Sequence, residues 1–405
     1  MSAPPPTPPG RLQSLDALRG FDMFWILGAD ALMQAFSEVS GAGPARFLAG
    51  QLTHRDWAGC TFYDVIFPLF IFIAGVSLVF SLSRQIAERG RAVAARHVVI
   101  RGLLLFAIGI LYNGGFSNPW PDLRLLGVLQ RIALAYTAAG LLFCWLRPRA
   151  LAGVAAAILL GYWALLAWVP IRDFTLDRTT IATRLGKPNA TPAEVRAAFA
   201  AAGGSVTGSY APGLNLTNHL DYQYLPGRKY DTYYDPEGYL STLPAIVTCL
   251  LGVFAGLLLR RADRTEPEKV RLLVLAGLAA IALGWLWHLQ FPVIKKLWTS
   301  SYVLVVGGYS ALLLAAFHHV VEVRGWRRWC VPFVWIGMNP ITLYLANNLI
   351  GFRRLAQRFV GGDVKAGLDA HLGSGAGQGL IAVVGLALML VLARFLHQRR
   401  IFLRL

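Results

Sequence analysis

Charged side chains are scarce in this sequence of 405 residues. Asp, Glu, Lys and Arg make up 15% of it, whereas a soluble domain typically has about 25%. Hydrophobic residues make up 56% and there are twelve Trp, which favours a membrane protein. The formal net charge of +17 would suggest nucleic-acid binding in a soluble protein. Here the Arg residues fall in short gaps between apolar runs, so membrane topology explains them better and no nucleic-acid partner is predicted.

Several functional motifs are also absent. The four Cys residues lie far apart, with no CxxC pair and no zinc-site spacing, so we predict buried apolar cysteines and no metal. No GxxxxGK[ST] motif occurs, which argues against an ATP-driven pump. No signal peptide precedes the first apolar run, which is predicted to stay in the mature protein as a span. The Pro-rich residues 1–10 are predicted to form a disordered tail.

Ten apolar runs approach the length of about 20 residues that a helix needs to cross a bilayer. The predicted fold is an all-α polytopic membrane protein with about ten transmembrane helices. Five are expected within 11–170 and five within 241–405. The predicted spans are 17–36, 62–82, 98–113, 125–146, 150–170, 241–259, 271–290, 298–318, 332–350 and 378–397.

Lys and Arg predict the orientation, because cytoplasmic loops carry an excess of both residues. With the N-terminus inside, the short segments on the inner side hold most of these cations. We therefore predict that both termini are cytoplasmic. The basic segment 351–377 departs from the rule, because this topology places it on the outer side.

The longest polar segment, 171–240, is predicted to lie on the outer, periplasmic side as a loop or lid. Residues 192–202 (PAEVRAAFAAA) predict a short helix within it. The stretch 222–239 (YQYLPGRKYDTYYDPEGY) is rich in Tyr and turn formers. Tyr rings stack on sugar faces while their hydroxyls form hydrogen bonds, so this stretch suits a sugar ligand. A lid packed over the helices is the alternative, and the two interpretations are compatible.

Placing an ionisable residue inside a membrane span costs about 2.5–3.5 kcal/mol on insertion scales. Such residues are therefore expected to have a structural or functional role. Asp30 in the first span and Gln130 with Arg131 in the fourth are predicted at similar depth. Asn339 lies in a GMNP sequence, where Pro340 interrupts the helix and frees backbone groups. We predict a polar cavity that opens outward and is lined by these four polar residues. An Asp30–Arg131 ion pair that holds helices together is the alternative.

His54 lies in the loop between the first two spans, within QLTHRDWAGCTFYD. His is the only side chain whose unperturbed pKa lies near neutrality, as proton transfer requires. Trp57 and Phe62 are expected to anchor the loop at the membrane interface, folding it over the cavity mouth. His54 is therefore a candidate catalytic residue, and an ordinary solvated loop His is the alternative.

Seven sequence blocks occur in order along the chain: RLQSLDALRGFDMFW, THRDWAGCTFYDVIFPLFIFIAGVSL, LLGVLQRIALAY, YDPEGYLSTLPAIVTCLLGVFAG, PVIKKLWTSSYVL, PFVWIGMNPITLYLANN and RRIFLRL. Together they resemble the heparan-α-glucosaminide N-acetyltransferase family, including its bacterial, NagX-type members. The match runs from about residue 11 to the C-terminus and fails in 171–225 and 351–377. The family is similar to a wider group of transmembrane acyltransferases.

The resemblance implies an N-acetyltransferase in a bacterial inner membrane. It would move acetyl from cytosolic acetyl-CoA to the amino group of an amino sugar on the periplasmic side, without a metal. The resemblance begins at about residue 11, so no counterpart of the family's long N-terminal lumenal domain is expected. The expected acceptor is therefore glucosamine or a small glucosamine-ended glycan, and a homodimer is left open.

The resemblance also implies roles for residues. THRDWAG aligns with the family block KHASWNG, which implies that His54 is the catalytic His. A family Asn tied to catalysis falls on Asp30, where a carboxylate could act as a base. Arg19 and Arg101 could contact CoA phosphates, or could simply be positive-inside anchors. The full set of predicted substrate-binding residues is Asp64, Gln130, Arg131, Asn339, Trp298, Tyr302, Arg19 and Arg101.

The predicted chemistry leaves several alternatives open. His54 either takes the amine proton or carries the acetyl group itself, while Gln130 or Asn339 donates to the oxyanion. An envelope-glycan O-acetyltransferase would use the same chemistry on a hydroxyl. A transporter of amino sugars without chemistry is a third reading, and the lack of an obvious inverted repeat argues against it.

Overall fold

The computed structural model describes residues 12–117 and 119–402. The predicted tail at 1–10 lies outside the described residues. Within them the chain is almost entirely helical, and its one named sheet is a two-stranded pairing. The all-α class predicted from the sequence is confirmed.

The N-terminal part begins with an interrupted helix. Helices α1 (Gln13–Phe24) and α2 (Asp30–Ser40) flank a π-helical turn at Trp25–Ala29, where Gly28 has φ +122°. A residue with a side chain rarely adopts that conformation, so the glycine permits the break. The following helices are α3 (Gly43–Gln51), α4 (Phe62–Arg89), α5 (Arg91–Tyr112), α6 (Val128–Trp145) and α7 (Pro148–Trp168).

The polar segment 171–240 folds as a small unit with its own apolar core. Strands β1 (Ile171–Arg172) and β2 (Ser205–Val206) pair antiparallel around α8 (Arg178–Leu185) and α9 (Pro192–Ala201), and α10 (Leu216–Tyr224) follows. The helix predicted at 192–202 is therefore confirmed as α9. The buried core residues of this unit are Phe174, Leu176, Ile181, Val195, Phe199, Ala202 and Tyr234. The segment is an ordered unit, although its composition is polar.

The C-terminal part contains a second interrupted helix. Helices α14 and α15 are separated at Asn339, directly before Pro340, which lacks the N–H that would continue the hydrogen-bond ladder. The helices of this part are α11 (Thr242–Leu259), α12 (Glu266–Trp287), α13 (Ser300–His318), α14 (Val331–Gly337), α15 (Pro340–Ile350), α16 (Phe352–Val360), α17 (Gly362–Leu372) and α18 (Ala376–Gln398).

Eight helices in the described part are long and apolar enough to cross a membrane: α4, α5, α6, α7, α11, α12, α13 (with the π-helical turn that continues it to Val323) and α18. Each corresponds to one of the ten predicted spans. The other two predicted spans, 17–36 and 332–350, are the interrupted pairs α1–α2 and α14–α15. Irregular backbone at such breaks is tolerated in membrane proteins where it is buried in protein or lines a cavity.

Small residues let the central helices approach closely. A Cβ added at Gly75 of α4 would overlap the carbonyl oxygen of Cys249 on α11, and one at Gly252 would overlap that of Phe72. Close packing between small residues stabilises helix pairs in lipid, where no hydrophobic effect drives association. The α4–α11 pair therefore forms a rigid support for the loop that precedes α4.

Candidate active site

The loop between α3 and α4 carries His54 and is fixed at two points. Thr61 precedes α4 and forms a capping box with Asp64, whose Oδ2 accepts from the Thr61 backbone N–H at 3.1 Å. The Gly59 N–H donates to the carbonyl oxygen of Val293 at 2.8 Å. The loop is thereby tied both to α4 and to the loop between α12 and α13.

Asp64 connects His54 to α4. Its Oδ1 lies 2.8 Å from Nδ1 of His54, and its Oδ2 also accepts from the Arg55 backbone N–H at 3.2 Å. A carboxylate oxygen this close favours the tautomer with its proton on Nδ1, which leaves Nε2 as the basic nitrogen. Asp64 is fully buried, whereas 53% of the His54 side chain is exposed. The histidine thus combines a fixed orientation with an accessible lone pair.

Lys295, from the loop between α12 and α13, completes the cluster. Its Nζ lies 2.9 Å from Nδ1 and 3.3 Å from Nε2 of His54, and 3.3 Å from Oδ1 of Asp64. Burial lowers the pKa of Lys295, while the Asp64 carboxylate acts in the opposite direction. Nearby, burial raises the pKa of the Cys60 thiol to about 12, so this cysteine is not a thiolate nucleophile at neutral pH. We name His54, Asp64 and Lys295 the histidine cluster.

Asp30 lies beside this cluster and is linked to it through Tyr63. The Tyr63 ring packs on the His54 ring with 4.7 Å between centroids, and the Asp30 carboxylate lies near enough to the Tyr63 hydroxyl to act on it electrostatically. The structure therefore brings together the two residues predicted to be catalytic, with one aromatic ring between them. Among the described residues, Arg131 donates to Ser241 and forms no ion pair with Asp30, so this structure does not support the alternative interpretation of these two residues.

An aromatic and cationic layer adjoins the histidine cluster. The Tyr302 hydroxyl donates to the backbone carbonyl oxygen of Asp64 at 2.7 Å. The backbone N–H of Trp298 donates to the backbone carbonyl oxygen of Lys295 at 2.9 Å. The Arg131 guanidinium lies 4.8 Å from the centroid of the Trp298 ring. Trp298 has φ +52°, a conformation that residues with a side chain rarely adopt and that this packing maintains.

Buried hydrogen-bonding atoms without protein partners occur on two sides of α6, with Gln130 against Gly109 of α5 and Arg131 against Trp298 and Ser241. Both amide atoms of Gln130 and the Nε and Nη1 atoms of Arg131 are buried and unpaired in the described chain, while Nη2 of Arg131 donates to Ser241. Unpaired buried polar atoms are costly and therefore point to a missing ligand or water. These two predicted residues are thus available for substrate.

The remaining predicted residues lie elsewhere. Asn339 donates to the carbonyl oxygen of Ile401, beyond the end of α18. Arg19 donates to Ser77 and to the carbonyl oxygen of Gly337, bridging α1, α4 and α14. These contacts give both residues structural roles, and neither is included in the function proposed below.

The last of these residues, Arg101, lies ten residues into α5, which begins at Arg91. Its guanidinium is 4.8 Å from the ring centroid of Tyr136. A contact this deep in the helix fits helix packing better than a site for CoA phosphates at the inner surface.

A charged network joins the 171–240 unit to the loop before α6. Arg124 donates to both carboxylate oxygens of Asp235, at 2.9 and 2.8 Å, and to Glu237 at 2.8 Å. Burial raises the pKa of Asp221 to about 7 and also raises the pKa of Glu237. Lys296, next to Lys295, donates to Asp231 of the same unit at 2.9 Å. The unit is therefore held against the loops that carry the histidine cluster.

Sequence reasoning missed Lys295 and Tyr63. Both lie in the quoted blocks, PVIKKLWTSSYVL and THRDWAGCTFYD, but the lysine was counted only as a loop charge. A pair of lysines directly before a span is a signal that could have been followed. Among the described residues, no group of three or more His, Cys, Asp or Glu side chains is placed to hold a metal ion.

Comparison with known proteins supports the resemblance. Residues 11–176 match the family model described as the catalytic region of heparan-alpha-glucosaminide N-acetyltransferase. The human protein of that name is 28% identical over 382 residues, which is 84% of this chain and 53% of the human protein. The mouse protein is 29% identical over 377 residues, 85% of this chain and 55% of its own. The chain spans about half the length of these relatives, and the predicted family resemblance is confirmed.

Proposed function

We propose that this chain, as a relative of the heparan-alpha-glucosaminide N-acetyltransferases, is a transmembrane acetyltransferase. It moves an acetyl group from cytosolic acetyl-CoA to the amino group of glucosamine or a small glucosamine-ended glycan on the predicted outer side, in a bacterial inner membrane. The observation that carries the proposal is the histidine cluster, which is an oriented base next to a cation on a multi-pass helical bundle.

His54 supplies the base in this mechanism. Amide formation needs a neutral amine, and the amine loses a second proton as the C–N bond forms. Nε2 of His54 accepts that proton and passes it to the CoA sulfur as the C–S bond breaks, while Asp64 holds Nδ1–H at 2.8 Å and stabilises the intervening imidazolium. The same Nε2 is equally placed to attack the thioester and carry the acetyl group in a two-step route.

Lys295 supplies positive charge where negative charge develops. Attack on the thioester carbonyl produces an oxyanion, which preorganised donors stabilise most strongly in a site shielded from water. Nζ of Lys295 lies 3.3 Å from Nε2 of His54, so its ammonium is close to any atom that reacts there. Lys295 is therefore the proposed electrostatic stabiliser, a role that the sequence reading gave to Gln130 or Asn339.

The donor side is supported by the unpaired groups of Gln130 and Arg131. Acetyl-CoA carries a thioester and two amides on a flexible arm, and these groups accept and donate hydrogen bonds. The buried amide of Gln130 and the free N–H groups of Arg131 fit such a chain. A small cavity of about 30 Å³ lies between α1, α4, α6 and α15 and is lined by apolar residues that include Met23, Phe70 and Ile132.

The decisive experiment measures thiol release from acetyl-CoA by purified protein with a panel of amino sugars. We expect release with wild type and its loss with His54→Ala. His371→Ala, an exposed histidine on α17, is the matched control and should retain activity. Equal activity of His54→Ala and wild type would remove His54 from the mechanism. Release only with N-acetylated or other hydroxyl acceptors would indicate an O-acetyltransferase.

A second assay separates the two chemical routes. Protein is incubated with acetyl-labelled acetyl-CoA and no acceptor. Label retained by wild type but not by His54→Ala supports an acetyl-histidine intermediate. A wild type that releases thiol with acceptor but never retains label supports direct transfer.

A further inference from the structure

A large open pocket lies on the 171–240 unit, and none of its lining residues belongs to the histidine cluster. It has a volume of about 690 Å³ and is lined mainly by residues of α9, α10 and the turn that follows. This region lies largely within 171–225, where the family resemblance fails. The family resemblance therefore does not describe this pocket, and its ligand has to be inferred from its lining residues.

The charge of the lining has one sign. Arg196 and Lys229 both line the pocket, and none of its ten lining residues, all within the described chain, is acidic. Neither cation forms a hydrogen bond or ion pair with a described residue, and Lys229 is only partly exposed. Burial lowers the pKa of Lys229, which shows that its ammonium lacks full compensation. An anionic ligand would supply that compensation.

The nearest carboxylates are already engaged. Asp221 accepts from the Tyr239 backbone N–H at 3.0 Å, and Asp235 binds Arg124 through both oxygens. Neither carboxylate forms a hydrogen bond or ion pair with Arg196 or Lys229 among the described residues, so both pocket cations are available to contact a ligand.

Aromatic side chains form the other walls. Phe199, Tyr222 and Tyr224 line the pocket, and Tyr224 is 66% exposed. Exposed aromatic rings are suited to stack on the apolar faces of sugars, while their hydroxyls form hydrogen bonds. Aromatic walls combined with two cations fit a saccharide that carries negative charge better than a neutral sugar or a free anion.

The pocket is also physically tied to the reacting groups. Lys229 lies two residues before Asp231, which accepts from Lys296 at 2.9 Å. Lys296 is the neighbour of Lys295, whose Nζ contacts His54. A ligand in the pocket therefore lies against a segment that is anchored to the histidine cluster.

We propose that this pocket is an acceptor subsite for an oxyanion, a phosphate or a carboxylate, carried by the amino saccharide. The inference rests on the proposed function and narrows its substrate class to anionic amino saccharides. Arg196 and Lys229 bind the oxyanion and the aromatic walls stack on the sugar. The amino group is thereby presented toward His54.

The test compares three acceptors in the thiol-release assay: glucosamine, glucosamine 6-phosphate, and a disaccharide of glucosamine and a uronic acid. We expect kcat/KM for at least one anionic acceptor to exceed that for glucosamine by about tenfold or more. The double variant Arg196→Gln/Lys229→Gln should abolish that preference, mainly through KM, and leave the rate with glucosamine unchanged. Arg178→Gln/Arg184→Gln, two exposed arginines of the same unit, is the matched control. The two anionic arms distinguish phosphate from carboxylate.

Direct binding provides a readout besides turnover. Glucosamine 6-phosphate and the disaccharide are titrated against His54→Ala protein by calorimetry, with and without the two pocket substitutions. Binding of at least one in His54→Ala and its loss in the triple variant support the subsite. Equal kcat/KM for all three acceptors, or an anion preference that survives the double variant, would overturn it while leaving the proposed function intact. If wild type releases no thiol with any of the acceptors, the proposed function fails, whereas the binding titration still tests the pocket.

Discussion

Nδ1 of His54 lies 2.8 Å from Oδ1 of Asp64, and the two side chains differ sharply in exposure, at 53% and 0%. The buried carboxylate fixes the orientation of a ring whose other nitrogen, Nε2, lies 3.3 Å from Nζ of Lys295. Asp64→Asn keeps the size and removes the charge, so we expect kcat for thiol release to fall by about 100-fold or more. The measurement is steady-state kinetics with saturating acetyl-CoA.

Asp64 also caps α4, so loss of activity must be separated from loss of fold. Removing a cap costs about 1 kcal/mol, and the melting temperature of Asp64→Asn in detergent reports on that effect. Asp56→Asn changes an exposed acid of the same loop and should retain activity. A folded Asp64→Asn protein with activity within threefold of wild type would contradict the role given to Asp64.

Lys295 and Lys296 are adjacent but differ in their contacts. Lys295 lies against His54 and Asp64, whereas Lys296 pairs with Asp231 of the 171–240 unit. We expect Lys295→Met, which keeps length but removes charge, to lower kcat by roughly 10- to 100-fold with little change in the KM for acetyl-CoA. Lys296→Met should lower kcat much less. Equal losses in the two variants would show that only general loop charge matters.

The sequence predicted the membrane helices well, because each apolar run is a local property of the chain. Pro340 predicted the break at Asn339, whereas nothing in the sequence predicted the break at Gly28. Hydropathy averages over a window, whereas a break depends on one backbone conformation. Depths counted at 1.5 Å per residue assume a continuous helix. That assumption grouped Asn339 with Asp30 and Arg131, whereas Asn339 contacts the chain end at Ile401.

The site was partly predictable for a similar reason. His54 and Asp64 are ten residues apart, within one block, so their pairing depends on a single loop and cap. Lys295 is 241 residues away from His54 in sequence. Its contact depends on the backbone hydrogen bond between two loops, Gly59 to Val293, and no local pattern encodes that pairing. Long-range contacts of this kind require the assembled fold.

Asp30 lies near Tyr63, whose ring packs on His54. Asp30 therefore influences the reacting nitrogen through Tyr63 and not by direct contact. A Tyr hydroxyl can donate to an amide oxygen as well as to a carboxylate. We therefore expect Asp30→Asn to retain activity within about fivefold of wild type, while Asp30→Ala loses more. The measurement is kcat/KM for the acceptor. A loss of 100-fold or more in Asp30→Asn would instead identify Asp30 as a proton acceptor in its own right.

Asp221 is a buried carboxyl whose burial raises its pKa from 3.8 to about 7. The folded protein therefore binds this proton more tightly than the unfolded chain, so stability falls as the pH rises toward and through 7. Between pH 6 and pH 8 the loss from this one group is roughly 1 kcal/mol. Asp221→Asn cannot titrate, so its melting temperature relative to wild type should be higher at pH 8 than at pH 6. Asp363→Asn, at an exposed site on α17, is the control and should leave the melting temperature unchanged at both pH values. If the melting temperatures of wild type and Asp221→Asn depend on pH in the same way, Asp221 is ionised throughout this range.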